Sequence, residues 1–129
     1  MASAQVDSHT FIWLVTKPDR LSPTARSCLA DPDLRLLLSV ASGRESAIKE
    51  SLGKLRLTVP LQDLLLAAPA TAMVEWFPIL PAHMIRVASL PRHHGDPFDR
   101  LMVAQAWVEG IPIVSADPAL DAYGVGRIW

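Results

Sequence analysis

The chain has 129 residues, half of them hydrophobic and 19% charged. That composition excludes intrinsic disorder and suits one ordinary domain spanning residues 1–129. Twelve Lys plus Arg against thirteen Asp plus Glu give a formal charge of −1, which excludes a protein that binds nucleic acid through its overall field but leaves room for a locally basic face.

A weak strand is predicted at 4–6, where little branched or aromatic material is present. A helix follows at 8–16; with Phe11, Ile12, Trp13, Leu14 and Val15 it is too apolar to lie on a surface. A second helix runs over 24–30, and a strand over 34–40 that is apolar apart from Arg35 and Ser39. The next helix covers 44–52, with Ile48 and Leu52 on one face and Gly53 as its stop. A short apolar helix at 61–68 precedes a strand at 76–80 and a helix at 82–89. The helix at 98–109 is apolar nearly all round over 101–108 except at Gln105, so it is expected to be central and buried. A strand at 111–115 despite Pro112, a helix at 119–122 and a last strand at 124–129 complete the chain. Of eleven prolines, Pro23, Pro81, Pro97 and Pro118 mark helix starts, because a first helical residue has no use for its N–H. Ser22, Asp96 and Asp117 stand before three of them as N-caps. Strands alternating with helices predict an α/β fold with a mostly parallel central sheet flanked by helices.

The start of the chain has neither a basic nor an apolar region of the kind a signal peptide needs. The apolar runs 36–40 and 64–70 fall far short of the ~20 residues that span a bilayer, so no membrane partner is expected. The single cysteine, Cys28, allows no intrachain disulfide or cysteine-based zinc site and fits a reducing cytoplasm.

Ligands of open parallel sheets bind beyond the carboxyl ends of the strands. Four acids fall there. Asp7 follows the first strand, and Glu45 lies in the first turn of the helix after the second. Asp99 lies in the first turn of the central apolar helix, and Asp117 comes just after the 111–115 strand. Each has a plain structural reading as a cap or as a partner of a helix dipole. As a set they are harder to explain. Three, four and seven residues beyond Glu45 lie Ile48, Lys49 and Leu52; beyond Asp99 lie Met102, Val103 and Ala106. Both acids therefore sit atop stripes expected to face inward. Gathered, buried carboxylates repel one another, and a divalent cation relieves both costs. An all-oxygen donor set suits Mg²⁺ or Mn²⁺.

At these residues the sequence resembles a PIN domain, specifically the VapC-type toxin of type II toxin–antitoxin systems. The resemblance rests on Asp7-Ser8-His9, on Ser39 through Glu45 to Lys49 and Gly53-Lys54-Leu55, on Asp96-Pro97-Phe98-Asp99-Arg100, and on Gly110-Ile-Pro-Ile-Val-Ser-Ala-Asp117. Its blocks run from Asp7 to Val125. Three departures stand out: Ser8 in place of Thr, Gly43-Arg44 where the family prefers apolar or aromatic residues, and a polar first strand.

The resemblance implies a Mg²⁺- or Mn²⁺-dependent endoribonuclease. Asp7 and Asp99 are then the primary metal ligands. Glu45 and Asp117 are further ligands, holders of metal-bound waters, ligands of a second ion, or in one case a general base. Ser8, Ser115 and Asp96 are candidates to orient the carboxylates. Arg44, Lys49, Lys54, Arg92 and Arg100, with Arg56, His93 and His94, are the candidate RNA contacts; adjacent histidines are poorly placed to share one metal. Trp13 and Trp107 are assigned to the core or an interface. Implied partners are an RNA substrate, a cognate VapB-type antitoxin and a second copy of the chain. The homodimer also follows from apolar residues in excess of need in 11–15 and 61–68. The alternative is a catalytically degenerate PIN domain that binds RNA or protein, motivated by Arg44 and the polar first strand. A dinucleotide site is excluded, because Gly124-Val-Gly126 has no helix behind it.

Overall fold

The computed structural model describes residues 2–93 and 95–129; His94 lies outside them. In chain order the elements are β1 (Ala2–Val6), α1 (Ser8–Thr16), a 3₁₀ turn (Pro18–Arg20), α2 (Pro23–Ala30), β2 (Leu34–Ser39) and α3 (Val40–Ser51). Then come α4 (Leu61–Thr71), β3 (Val74–Phe77), α5 (Pro81–Ser89), α6 (Pro97–Glu109), β4 (Ile113–Val114), a 3₁₀ helix (Pro118–Tyr123) and β5 (Arg127–Ile128). The five strands form one sheet in the order β3-β2-β1-β4-β5, and every pairing is parallel. The α/β expectation therefore holds, and β1 is the central strand despite its polar start.

Side chains alternate across the sheet. Val6, Leu36, Leu38 and Val74 pack with Phe11 of α1 and Leu64 of α4, and Ala4 and Val114 pack with Leu21 and Ala25. On the other face Ile113 packs with Met102, Val103 and Ala106 of α6, with Leu120 and Tyr123 nearby. Ser39, on that same face, meets Gln105 of α6, whose amide accepts from the Ser39 hydroxyl and donates to the Pro78 carbonyl.

The helix starts follow the prolines. Ser22, Asp96 and Asp117 accept hydrogen bonds from Ala25, Phe98 and Ala119 N–H groups respectively. At Leu80 there is no side-chain cap of this kind; instead the buried His83 ring accepts from the Leu80 N–H at 3.0 Å.

Several boundaries differ from expectation. The third helix begins at Val40, not 44, because the Ser39 hydroxyl caps it by accepting from Ala41 N–H. Residues read as a loop, Ser42 and Gly43, are buried helix. α4 continues through Pro69 to Thr71. The 76–80 strand shifts to Val74–Phe77, since Pro78 cannot donate to a ladder. The 111–115 and 124–129 strands shorten to Ile113–Val114 and Arg127–Ile128.

Burial also corrects two expectations. Met102, Val103, Ala104 and Ala106 are buried as expected and Gln105 is buried with them, while Trp107 and Val108 are exposed; Trp107 lies under the Arg86 guanidinium at 4.9 Å, so it is not a core residue. Trp13 is half-buried against Trp129. On α1, Phe11 is buried and Ile12 and Val15 pack against the core, so the surplus apolar surface is not there. It lies at Leu66 of α4, Met73 and Trp76 at β3, Leu80, and Met84 and Ile85 of α5. Among the described residues no helix is long and apolar enough to cross a membrane.

Candidate active site

Each acid is delivered by an element end. Asp7 follows β1 directly and is the N-cap of α1. One of its carboxylate oxygens accepts from the Thr10 N–H at 2.8 Å and the other from the Ser115 hydroxyl. The Ser115 oxygen in turn accepts from the Asp117 N–H at 3.1 Å, so one buried hydroxyl just past β4 fixes two acid-bearing segments. Asp117 caps the 3₁₀ helix through the Ala119 N–H at 3.0 Å.

Asp96 and Asp99 open α6. The Asp96 carboxylate accepts from the Phe98 and Asp99 N–H groups at 2.8 and 3.2 Å, where the helix dipole favours negative charge. Glu45 projects from the middle of α3, not from its first turn. It is buried, although the stripe expected to bury it does not: Leu52 is 62% exposed. Small neighbours do so instead. Ala41, Ser42, Gly43 and Ser46 are all buried, and a Cβ on Gly43 would sit 3.0 Å from the Trp76 ring. Gly43 thus leaves room for an aromatic ring supplied by β3.

Asp7, Glu45, Asp99 and Asp117 all line one cleft of about 120 Å³ beyond the carboxyl ends of β1 and β4, together with Ser8, His9, Lys49 and Asp96. Carboxylate oxygens of Glu45, Asp96 and Asp99 lie within 4.8 Å of one another. Asp96, expected only to cap and orient, is therefore a member of the same cluster as Glu45 and Asp99. The Asp-Pro-Phe-Asp spacing is the signal for this, since an N-cap and the residue three later lie on one side of a helix start. Lys49 comes within 3.7 Å of Glu45. At an effective dielectric of about 20, each like-charge pair at such a separation costs ~3.5 kcal/mol. One neighbouring ammonium offsets part of this. Three clustered carboxylates, one of them buried, form a hard all-oxygen donor set that fits a divalent cation.

The basic candidates separate. Arg44 is exposed, and its guanidinium lies 5.5 Å from the Phe98 ring centre, beside the cleft. Lys54, Arg56, Arg92 and His93 are exposed, and His93 lies edge-on to Tyr123. Arg100 is held within the fold: its guanidinium donates to the Pro91, Val87 and Leu90 carbonyls at 2.8, 3.2 and 3.3 Å, so it ties the end of α5 to α6. His9, which lines the cleft, was not singled out by sequence because a lone histidine after Asp-Ser carries no spacing signal.

No family model matches the chain. Ribonuclease VapC22 of Mycobacterium tuberculosis is 28% identical over 124 residues, covering 95% of this chain and 93% of that protein. A crystal structure of VapBC2 from Rickettsia felis bound to a DNA fragment from their promoter superposes with a TM-score of 0.69 at 11% identity, over 97% of this chain and 96% of the matched one. At that identity the likeness is one of fold.

Proposed function

We propose that the chain, which shares its fold with a VapC-type toxin structure and is 28% identical to a VapC ribonuclease, is the endoribonuclease toxin of a toxin–antitoxin pair, with residues 1–129 acting as one nuclease unit and Mg²⁺ or Mn²⁺ as its cofactor. The observation that carries this reading is the gathering of five carboxylates around one cleft at the carboxyl edge of the sheet.

Asp99, Glu45 and Asp96 would hold the cation, with Asp7 and Asp117 completing the acid wall. The ion would neutralise charge on the scissile phosphate and acidify a water nucleophile. The remaining work falls to the chain itself. Ser115 and the Thr10 N–H hold the Asp7 carboxylate in one orientation, leaving lone pairs on both oxygens to position the water or take its proton. As the water oxygen bonds to phosphorus, the bridging P–O bond breaks and the departing ribose oxygen gains a proton. Lys49, half-buried in the cleft wall, places a cation where phosphate must enter past the acids. Arg44, exposed on the Phe98 ring, adds a second.

The partners proposed are RNA, a VapB-type antitoxin and a second copy of the chain, in the cytoplasm. The exposed apolar residues of β3 and α5 support burial against another chain. The test is to incubate the purified chain with total RNA, with and without Mn²⁺, alongside Asp99→Asn, and to map the cut ends. Discrete cuts that need Mn²⁺ and vanish in the folded variant are expected. Equal cutting by both proteins would overturn the assignment.

A further inference from the structure

A second groove adjoins the acid cleft. It has a volume of about 130 Å³ and lies between the C-terminal half of α1 and residues 55–58. The partly buried Ile12, Trp13 and Leu57 line it together with the exposed Lys17 and Arg56. His9 lines both this groove and the acid cleft, so the two meet at one side chain. Its ring centre lies 6.0 Å from that of Trp13, and the half-buried Trp13 is backed by Trp129. Among the described residues neither Lys17 nor Arg56 has a carboxylate partner.

The chemistry is that of a nucleotide site. A supported indole offers a π-face to any base, and the groove's two cations suit a phosphate. The acid cleft itself is anionic and repels the strand it must cut. A neighbouring basic, aromatic groove would supply attraction that the cleft lacks. An acidic or apolar protein segment is the competing occupant. The combination of an aromatic lining, two cations without a carboxylate partner among the described residues and a side chain shared with the cleft favours RNA.

We propose that this groove is a nucleotide subsite of the same nuclease, seating one base of the RNA strand on Trp13 and its phosphate at Lys17 and Arg56, at a fixed distance along the strand from the cut. The proposal rests on the ribonuclease reading above.

The experiment uses a single-stranded RNA oligonucleotide spanning one mapped cut site, and copies of it with an abasic ribose at each position in turn. Wild type, Trp13→Leu and Arg56→Ser are compared with Mn²⁺ present. Removing the base at one position should lower the wild-type kcat/KM about 10-fold, the size of one stacked base. Trp13→Leu should be insensitive to that same removal, a coupling that a merely weakened fold would not produce. Arg56→Ser, at an exposed residue, should raise KM, leave kcat unchanged and lower the salt dependence of binding by about one phosphate contact. The subsite is refuted if Trp13→Leu keeps the wild-type pattern of base dependence, or if Arg56→Ser cuts with the wild-type KM. It is also refuted if both variants cut normally and lose only the binding of a protein partner, which would give the groove to that partner. In each of these cases the nuclease reading survives. Failure of the wild-type chain to cut any RNA would remove that reading, and the subsite with it.

Discussion

Glu45→Gln should make the metal-free protein more stable while destroying its response to metal. The side chain is buried and keeps nearly the same shape on substitution. Its charge faces two carboxylates within 4.8 Å and one ammonium at 3.7 Å. At an effective dielectric of about 20, the two repulsions total ~7 kcal/mol and the attraction ~4.5 kcal/mol. Asp96, Asp99 and Lys49 are only half-buried, so solvent screens all three terms and the net repulsion of ~2.5 kcal/mol falls to about 1 kcal/mol. Neutralising Glu45 should release that amount, which for a chain of this length raises Tm by about 3–5 °C in EDTA. Wild type should gain stability as Mn²⁺ is added, because the ion binds only the folded state. The variant should gain much less, and its RNA cleavage should fall at least ~100-fold. Thermal melts across a Mn²⁺ titration read both effects. A variant that melts below wild type in EDTA, or keeps the full Mn²⁺ shift, would refute the reasoning.

Ser115→Ala leaves one Asp7 oxygen and the Asp117 N–H without their shared hydroxyl. It should cost about 1–3 kcal/mol by denaturant melt and slow cleavage by about 10-fold through a mobile Asp7. Gln105→Leu removes the bridge from Ser39 to the Pro78 carbonyl; it should cost a similar ~1–3 kcal/mol yet leave the Mn²⁺ shift intact, since it touches none of the clustered acids. Arg100→Met should destabilise the fold by roughly 2 kcal/mol without changing the salt dependence of RNA binding, in contrast to a true phosphate contact. Arg127 holds the Asp121 carboxyl below its ordinary value of 3.8, mainly through their hydrogen bond. A depressed carboxylate contributes stability above its unfolded value and loses it as pH falls through the folded one. The Tm of wild type should therefore exceed that of Asp121→Asn at neutral pH, and the two should converge under acid.

Much of the fold was legible because its punctuation is local. Proline at the first helical position, with Ser or Asp before it, fixed the starts of α2 and α6 and of the last 3₁₀ helix from three-residue windows. Boundaries set by tertiary contacts were not. Gly43 falls outside the helix expected at 44–52, yet it is buried helix, with the Trp76 ring of β3 in the space a side chain would fill. Gln105 reads as the polar exception in an apolar helix, and it is buried because Ser39 and Pro78, 66 and 27 residues away, satisfy its amide. Strand β3 was displaced because Pro78, inside the expected 76–80 run, cannot donate to a ladder. For Gly43 and Gln105 the deciding partner is distant in the chain.

The acids show why local structural and site readings need not compete. Asp7 caps α1, Asp96 caps α6 and Asp117 caps the last 3₁₀ helix, each by a hydrogen bond from a backbone N–H. All three also line the cleft. A cap aims its carboxylate back over the helix start, and in a parallel sheet the helices that leave adjacent strands start at the same edge. Caps of neighbouring helices are thereby brought together by topology alone. A capping bond occupies one lone pair and leaves others, while fixing the side chain in one orientation before any ligand arrives. Glu45 is the exception that sequence explained for the wrong reason, since it comes from mid-helix, where its buried neighbours are small. Its charge has no helix start to stabilise it and Lys49 at 3.7 Å offsets it in part, so a cation in the cleft would supply the remaining compensation. That is why its neutralisation separates the two contributions most cleanly.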